Sequence, residues 1–100
     1  MSILNKLDFI TRNGKNVPDK VYHTVIDKIL DSNNIMERMM AARHGRASED
    51  NLHKALDDDH YLVRRNAIDY GELNQSHLTK ALKDKDAVIK SSAKQIIRML

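Results

Sequence analysis

The sequence predicts an all-α protein: a short α-solenoid of about three helix pairs behind an N-terminal capping helix. Three observations carry this. Apolar residues recur at i, i+3 and i+4 along most of the chain, and β-branched residues never alternate over a useful length. Sliding the chain by a fixed interval of about 26 residues, from Ile26 to Leu52 and on to Leu78, brings three segments into register. Good helix caps and stops fall between those segments. Besides Ile26, Leu52 and Leu78, the register aligns Ile29, Ala55 and Ala81, then Leu30, Leu56 and Leu82. It continues through Met36, Leu62 and Val88, through Arg38, Arg64 and Lys90, and through Ala41, Ala67 and Ala93. Matching Ala, Asp and basic positions are harder to dismiss than shared apolar spacing. One domain over residues 1–100 is expected, with a cap helix at 1–15 and units at 18–45, 48–71 and 74–99.

Taken in order, Ser2 caps a short helix that turns Ile3, Leu4, Leu7 and Ile10 inward and stops at Gly14. Val17-Pro18-Asp19 opens the first unit, since proline's missing N–H costs nothing at a helix start. Val21, Val25, Ile26, Ile29 and Leu30 give this helix its stripe. Asp31-Ser32-Asn33-Asn34 turns the chain into a second helix near 35–44, stopped by Gly45. In the second unit Ser48 caps a helix with Leu52, Ala55 and Leu56 inward. Asp57-Asp58-Asp59 ends it, because the dipole disfavours acids at a helix C-terminus and welcomes them at the start of the next. That next helix runs from about His60 to Tyr70, burying Leu62, Val63 and Ala67, and Gly71 is expected to supply a left-handed stop. In the third unit Asn74 or Ser76 caps a helix ending near Leu82. Asp86 caps a longer one through Ile89, Ala93, Ile96 and Ile97 to Leu100.

Bulk composition narrows the function classes. Hydrophobic residues at 41% with 31% charged argue for a folded globular chain and against disorder. No apolar run could span a bilayer, no secretory signal is expected, and the simplest location is the cytoplasm. With no cysteine there is no disulfide framework, thiolate metal site or thiol nucleophile. The net charge of +3 alternates along the chain: basic over residues 1–46, acidic over 47–71 and basic again over 72–100. Such alternation suits local patches better than a chain wrapped in nucleic acid.

The stretch Ala55-Leu56-Asp57-Asp58-Asp59-His60-Tyr61-Leu62-Val63-Arg64-Arg65-Asn66-Ala67 resembles the HEAT-like repeats and the related leucine-rich repeat variant, armadillo-type helical repeats. Their recurring pattern is Ala-Leu-x-Asp-x-Asp-x-x-Val-Arg-x-x-Ala. The stretch Ala81-Leu82-Lys83-Asp84-Lys85-Asp86-Ala87-Val88-Ile89-Lys90-Ser91-Ser92-Ala93 is similar to it, with conservative changes. The first unit departs, with Ser32 and Asn34 at the Asp positions and Glu37 at the Val position. The resemblance covers about residues 26–97 and implies an architecture, whereas members of such families range from scaffolds and inhibitors to DNA-binding enzymes. It also implies that the Asp and Arg of the pattern hold units together, with Arg64 reaching Asp58, Lys90 reaching Asp84 and neighbouring units bridged. The DNA glycosylases of HEAT-like build are longer and line their DNA site with aromatics; this chain has no Trp and only Phe9, Tyr22, Tyr61 and Tyr70.

No enzyme motif stands out. There is no Gly-rich phosphate loop or nucleophile elbow, and Asp57, Asp58 and Asp59 are consecutive, so their side chains diverge rather than pair across a cleft. Ser48, Ser91 and Ser92 read as a cap and exposed helix positions. His23, His44, His53, His60 and His77 include no i, i+4 pair backed by a carboxylate, so neither a metal nor another cofactor is expected. Met36 belongs to the core by register, leaving Met39 or Met40 to be exposed as an adaptable apolar anchor. The expected function is a non-enzymatic protein-binding module, an adaptor, inhibitor or assembly factor, using the polar face of the stacked pairs. Its expected contacts are Arg43, Arg46, Arg65, Asp69, Lys94, Met39 and Met40, and an exposed end could pair two copies as a homodimer. The alternative is a nucleic-acid-binding protein contacting backbone phosphates through the ladder Arg38, Arg64 and Lys90. The acidic middle segment weighs against it.

Overall fold

The computed structural model describes residues 2–13 and 16–100. Among them are seven helices and no strand: α1 (Ile3–Asn13), α2 (Asp19–Ile29), α3 (Ile35–Ala42), α4 (Glu49–Leu56), α5 (Tyr61–Tyr70), α6 (Gln75–Leu82) and α7 (Ala87–Met99). The expected stop at Gly14 lies outside the described residues. No described helix is long and apolar enough to cross a membrane.

The helix starts follow local chemistry. Asn34, His60 and Asp86 precede α3, α5 and α7, and the side chain of each accepts an N–H that the first turn leaves without a partner. Ser48 and Asn74 open α4 and α6 with capping boxes, closed by Asn51 and His77 at the third helical position. Asn74, not Ser76, is therefore the cap of α6.

Packing forms two layers. The first helices α2, α4 and α6 lie side by side, as do the second helices α3, α5 and α7, and each first helix packs on the second helix that follows it. Ahead of these pairs, α1 packs on α2 and sends Leu7 into the core. The shortest dimension, 16 Å, accommodates two helices lying about 8–10 Å apart. Ala41, Ala67 and Ala93 are wholly buried, and their small side chains let the second helices approach closely. Ile29, Ala55 and Ala81 are buried at the matching interval in the first layer.

Two expectations are corrected. Met36 is 64% exposed and Val88 48%, so the alignment of Met36, Leu62 and Val88 marks surface rather than core. The inward position is the next one along, where Val63 and Ile89 are buried. They stand at i−4 from the buried Ala67 and Ala93 and so share their face. Glu37 holds the same position in α3, and there its carboxylate accepts from the Ser32 hydroxyl. Gly71 is not left-handed: its φ of −76° and ψ of 151° are extended. Glycine is required there by space, because a Cβ would lie 2.5 Å from the Ala67 carbonyl oxygen and 2.7 Å from Leu52 Cδ2.

Candidate functional site

Three sets of side-chain bonds join consecutive helix pairs, and each set recurs at the interval that separates Ile26 from Leu52. In the first, Arg38 Nε donates to Asp58 Oδ2 at 2.9 Å and Nη2 to Oδ1 at 3.3 Å. Arg64 donates to Asp84 through the same atoms at the same distances. The remaining nitrogen of each closes its own turn, Arg38 Nη1 on the Ser32 carbonyl and Arg64 Nη1 on those of Asp58 and Asp59. In the second set, Lys54 Nζ donates to Asp27 and Asp31 at 3.0 Å, and Lys80 Nζ to Asp57 at 2.8 Å. Burial works against the Lys54 ammonium, but the bonds to Asp31 and Asp27 and their charges outweigh it and raise its pKa. In the third, Asn51 Nδ2 donates to the His23 carbonyl, and His77 Nε2 donates to that of Glu49. His77 Nδ1 accepts from the Asn74 N–H, which fixes this buried ring as the Nε2–H tautomer.

Two of the three ladder residues, Arg38 and Arg64, are thus spent on bonds between helix pairs. Arg64 and Asp84 are only 6% and 7% exposed, and the Asp84 carboxylate also accepts the Asp86 N–H. The pairing differs from expectation in two respects: Arg64 meets Asp58 through its main-chain carbonyl, while the Asp58 carboxylate serves Arg38 of the preceding pair. Lys90 does not reach Asp84, because Arg64 already occupies that carboxylate, and no ion pair to Lys90 occurs among the described residues. Arg38 and Arg64 are therefore turned away from any phosphate backbone lying on the surface.

What remains exposed on α3, α5 and α7 is a band of apolar side chains where these helices begin. Ile35, Met36, Tyr61 and Val88 are exposed and Leu62 is half-buried, so three adjacent helices present apolar surface at one level. Met40 widens the band on α3, whereas Met39 packs against the core. One or two turns further along come the charges. Arg65 pairs loosely with Asp69 at 3.4 Å, and the Arg43 guanidinium stacks 4.3 Å over the Tyr70 ring. Arg43, Arg65, Asp69 and Met40 thus share this face.

Arg46 and Lys94 do not. Arg46 pairs with Asp19 and lies over the Tyr22 ring, beside the start of α2. The pairing with Arg46, by hydrogen bond and by charge, lowers the Asp19 pKa. Lys94 occupies the register position of the buried Ala42 and Ile68, at the outer end of the layer. His44 borders a cleft of about 290 Å³ between α1 and α3, floored by Leu4 and Leu7 and walled by Met40. Its Nδ1 accepts the Arg46 N–H, its Nε2 lies 3.1 Å from Thr11 Oγ1, and burial followed by the Arg46 charge lowers its pKa.

Two hydroxyls lie within hydrogen-bond distance of an imidazole, Thr11 Oγ1 at 3.1 Å from His44 Nε2 and Ser76 Oγ at 3.0 Å from His53 Nε2. The three consecutive aspartates go separate ways, Asp57 to Lys80 and Asp58 to Arg38. No cluster of three or more metal-ligating side chains occurs among the described residues. Sequence reasoning passed over the second and third bond sets, although Lys54 and Lys80, and Asp31 and Asp57, stand one full interval apart in plain view. No family model matches the chain, and neither does any curated protein or solved structure.

Proposed function

We propose that this chain is a non-enzymatic protein-binding module, a short α-solenoid of HEAT-like helix pairs whose second helices form the docking face. The observation that carries the reading is the exposed apolar band of Ile35, Met36, Tyr61, Leu62 and Val88, with Met40 beside it. Large apolar side chains gathered on one face, with charged groups at its border, are what a protein interface offers and what an isolated surface tends to avoid. Arg43 and Arg65 border the band and supply direction to a partner, as rim charges do. The constant register of the buried bonds supports a repeated helix pair as the unit, and the side chains that carry those bonds are spent inside the scaffold.

The test is purification of the tagged full chain from its native cell, in parallel with Met36→Glu and Tyr61→Glu variants. The reading expects a protein recovered in stoichiometric amount with the unaltered chain and lost with both variants, while their melting curves stay unchanged. Equal recovery with all three chains would place binding elsewhere. A salt titration against duplex DNA addresses the alternative of phosphate contacts, which requires binding that falls steeply as salt rises. The engagement of Arg38 by Asp58 and of Arg64 by Asp84 weighs against that alternative.

A further inference from the structure

The bonds that tie each helix pair to the next lead up to α6 and α7, and the outward face of this pair keeps the basic charge of the Arg38 and Arg64 position while departing from the earlier pairs at two others. Ile68 is buried against the third pair, in one cluster with Leu78, Ile89 and Ala93; one interval further on stands Lys94. Asp57 accepts from Lys80, and its counterpart in the last pair is Lys83. Arg64 holds Asp84, and its counterpart is Lys90. None of these three lysines makes an ion pair among the described residues. Lys90, Lys94 and Ile97 follow one another at helical spacing along one side of α7. Beside them Leu73, Leu78, Leu82, Ile97 and Leu100 line a cleft of about 470 Å³. Asn74, Gln75 and Thr79 complete the wall of this largely apolar cleft, and Ile97 belongs both to it and to the side of α7 that carries Lys90 and Lys94.

The charges decide between occupants. A further helix pair of the same kind would bring a lysine to the position of Lys83, where the earlier pairs offer an aspartate, and would press an apolar surface on Lys94. A second copy docked through this same end would set the lysines of one chain against those of the other, and like charges across an interface cost several kcal/mol. An acidic partner meets neither obstacle. We propose that the α6–α7 end face binds an acidic amphipathic helix of another protein, apolar side chains entering the cleft beside Ile97 and carboxylates pairing with Lys90 and Lys94. This site is separate from the α3–α5–α7 face and does not depend on it.

The test uses the full chain, labelled for amide NMR, and two synthetic helical peptides of roughly 14 residues, about four turns. Both carry leucines at i, i+3, i+4 and i+7; the remaining positions hold Glu and Ala in one and Lys and Ala in the other. The Glu peptide is expected to shift amides within residues 75–82 and 90–100 and to bind at least about tenfold more tightly than the Lys peptide. A Lys90→Glu, Lys94→Glu chain should reverse that preference, and Ile97→Ala should weaken the Glu peptide with the lysines intact. Equal binding of both peptides, absence of binding, or shifts confined to residues 35–43 and 61–69 would overturn the proposal. So would a dimer in sedimentation that Ile97→Glu abolishes, since a second copy would then own the face. A thermal melt of each variant confirms that it is folded before it is compared.

Discussion

Replacing Arg64 with alanine tests the buried bond network most directly. The substitution removes the partner of Asp84, whose side chain is 7% exposed, and leaves the carbonyls of Asp58 and Asp59 without their donor. Breaking a buried ion pair from one side costs about 3–5 kcal/mol, because an uncompensated charge stays behind. Asp84 keeps one bond, from the Asp86 N–H, so the lower end, about 3 kcal/mol, is expected. That is a large share of the roughly 5–15 kcal/mol that stabilises a typical domain. For a chain of this size it corresponds to a fall in Tm of about 12 °C or more. Arg65→Ala, at the next position, breaks only an exposed i, i+4 pair and should cost about 0.5 kcal/mol or less. Urea unfolding of both variants gives the comparison. Combining Arg64→Met with Asp84→Leu removes both charges at similar volume and should recover much of the loss. If Arg64→Ala proves as mild as Arg65→Ala, the arginine ladder does not lock neighbouring pairs and the reasoning fails.

Three further outcomes follow from the same structure. Gly71→Ala should cost about 1–3 kcal/mol in thermal unfolding, because its Cβ meets the Ala67 carbonyl at 2.5 Å, whereas Gly45→Ala, with nothing within 4 Å, should be neutral or mildly stabilising. A Gly71→Ala chain as stable as the parent would show that this turn can shift. His44 and His53 are both pushed below their ordinary pKa of 6.5, mainly by burial. The unfolded chain then binds protons more readily than the folded one, so stability is full above pH 6.5 and declines as pH falls through and below it. The urea midpoint should drop accordingly, and His44→Gln should flatten part of that slope; a slope unchanged by this variant removes His44 from the account. Met36→Glu should leave stability within the small range of surface substitutions, about 0.5 kcal/mol, because this side chain is 64% exposed. A loss of several kcal/mol would return Met36 to the core.

Much of the helical framework was legible because it rests on local chemistry. Ser48, Asn74 and Asp86 are good caps, and the predicted helix bounds fall close to those observed. The constant interval was legible too, since Ala41, Ala67 and Ala93 sit where small size is needed between close helices. Two kinds of information were not. The first is the exact rotation of a second helix. Leu62 and Val63, like Val88 and Ile89, are adjacent apolar residues, and only packing against the neighbouring helices selects Val63 and Ile89 for burial. Aligning Met36 with Leu62 and Val88 therefore put a surface row inside. The second is what a polar side chain bonds to once the pairs stack. Arg64 and Asp58 are close in sequence, which favours a local pair on paper. Stacking instead offers Asp84, and the guanidinium has enough donors to take that carboxylate and two local carbonyls together. Gly71 misled for a related reason: glycine after a helix signals a left-handed turn, yet here the side chain is excluded by Leu52 and Ala67.

The separation of roles between near neighbours in sequence has a consequence for how the molecule could vary. In α5, Val63, Arg64 and Ala67 face inward and fix the spacing to the neighbouring helices, while Tyr61, Arg65 and Asp69 face outward and are bound by no such requirement. The inward set has to recur at a constant interval, because each bond reaches from one pair to the next and a shift by a single position would turn Arg64 away from Asp84. The outward set obeys no such constraint, and its composition changes freely along the row: Tyr61 shares its register position with Ile35 and Ala87, and Asp69 shares its own with Arg43 and Gln95. A scaffold that keeps the bonds between its helix pairs periodic can hold one shape while the chemistry of outward positions such as Asp69, Arg43 and Gln95 differs from step to step.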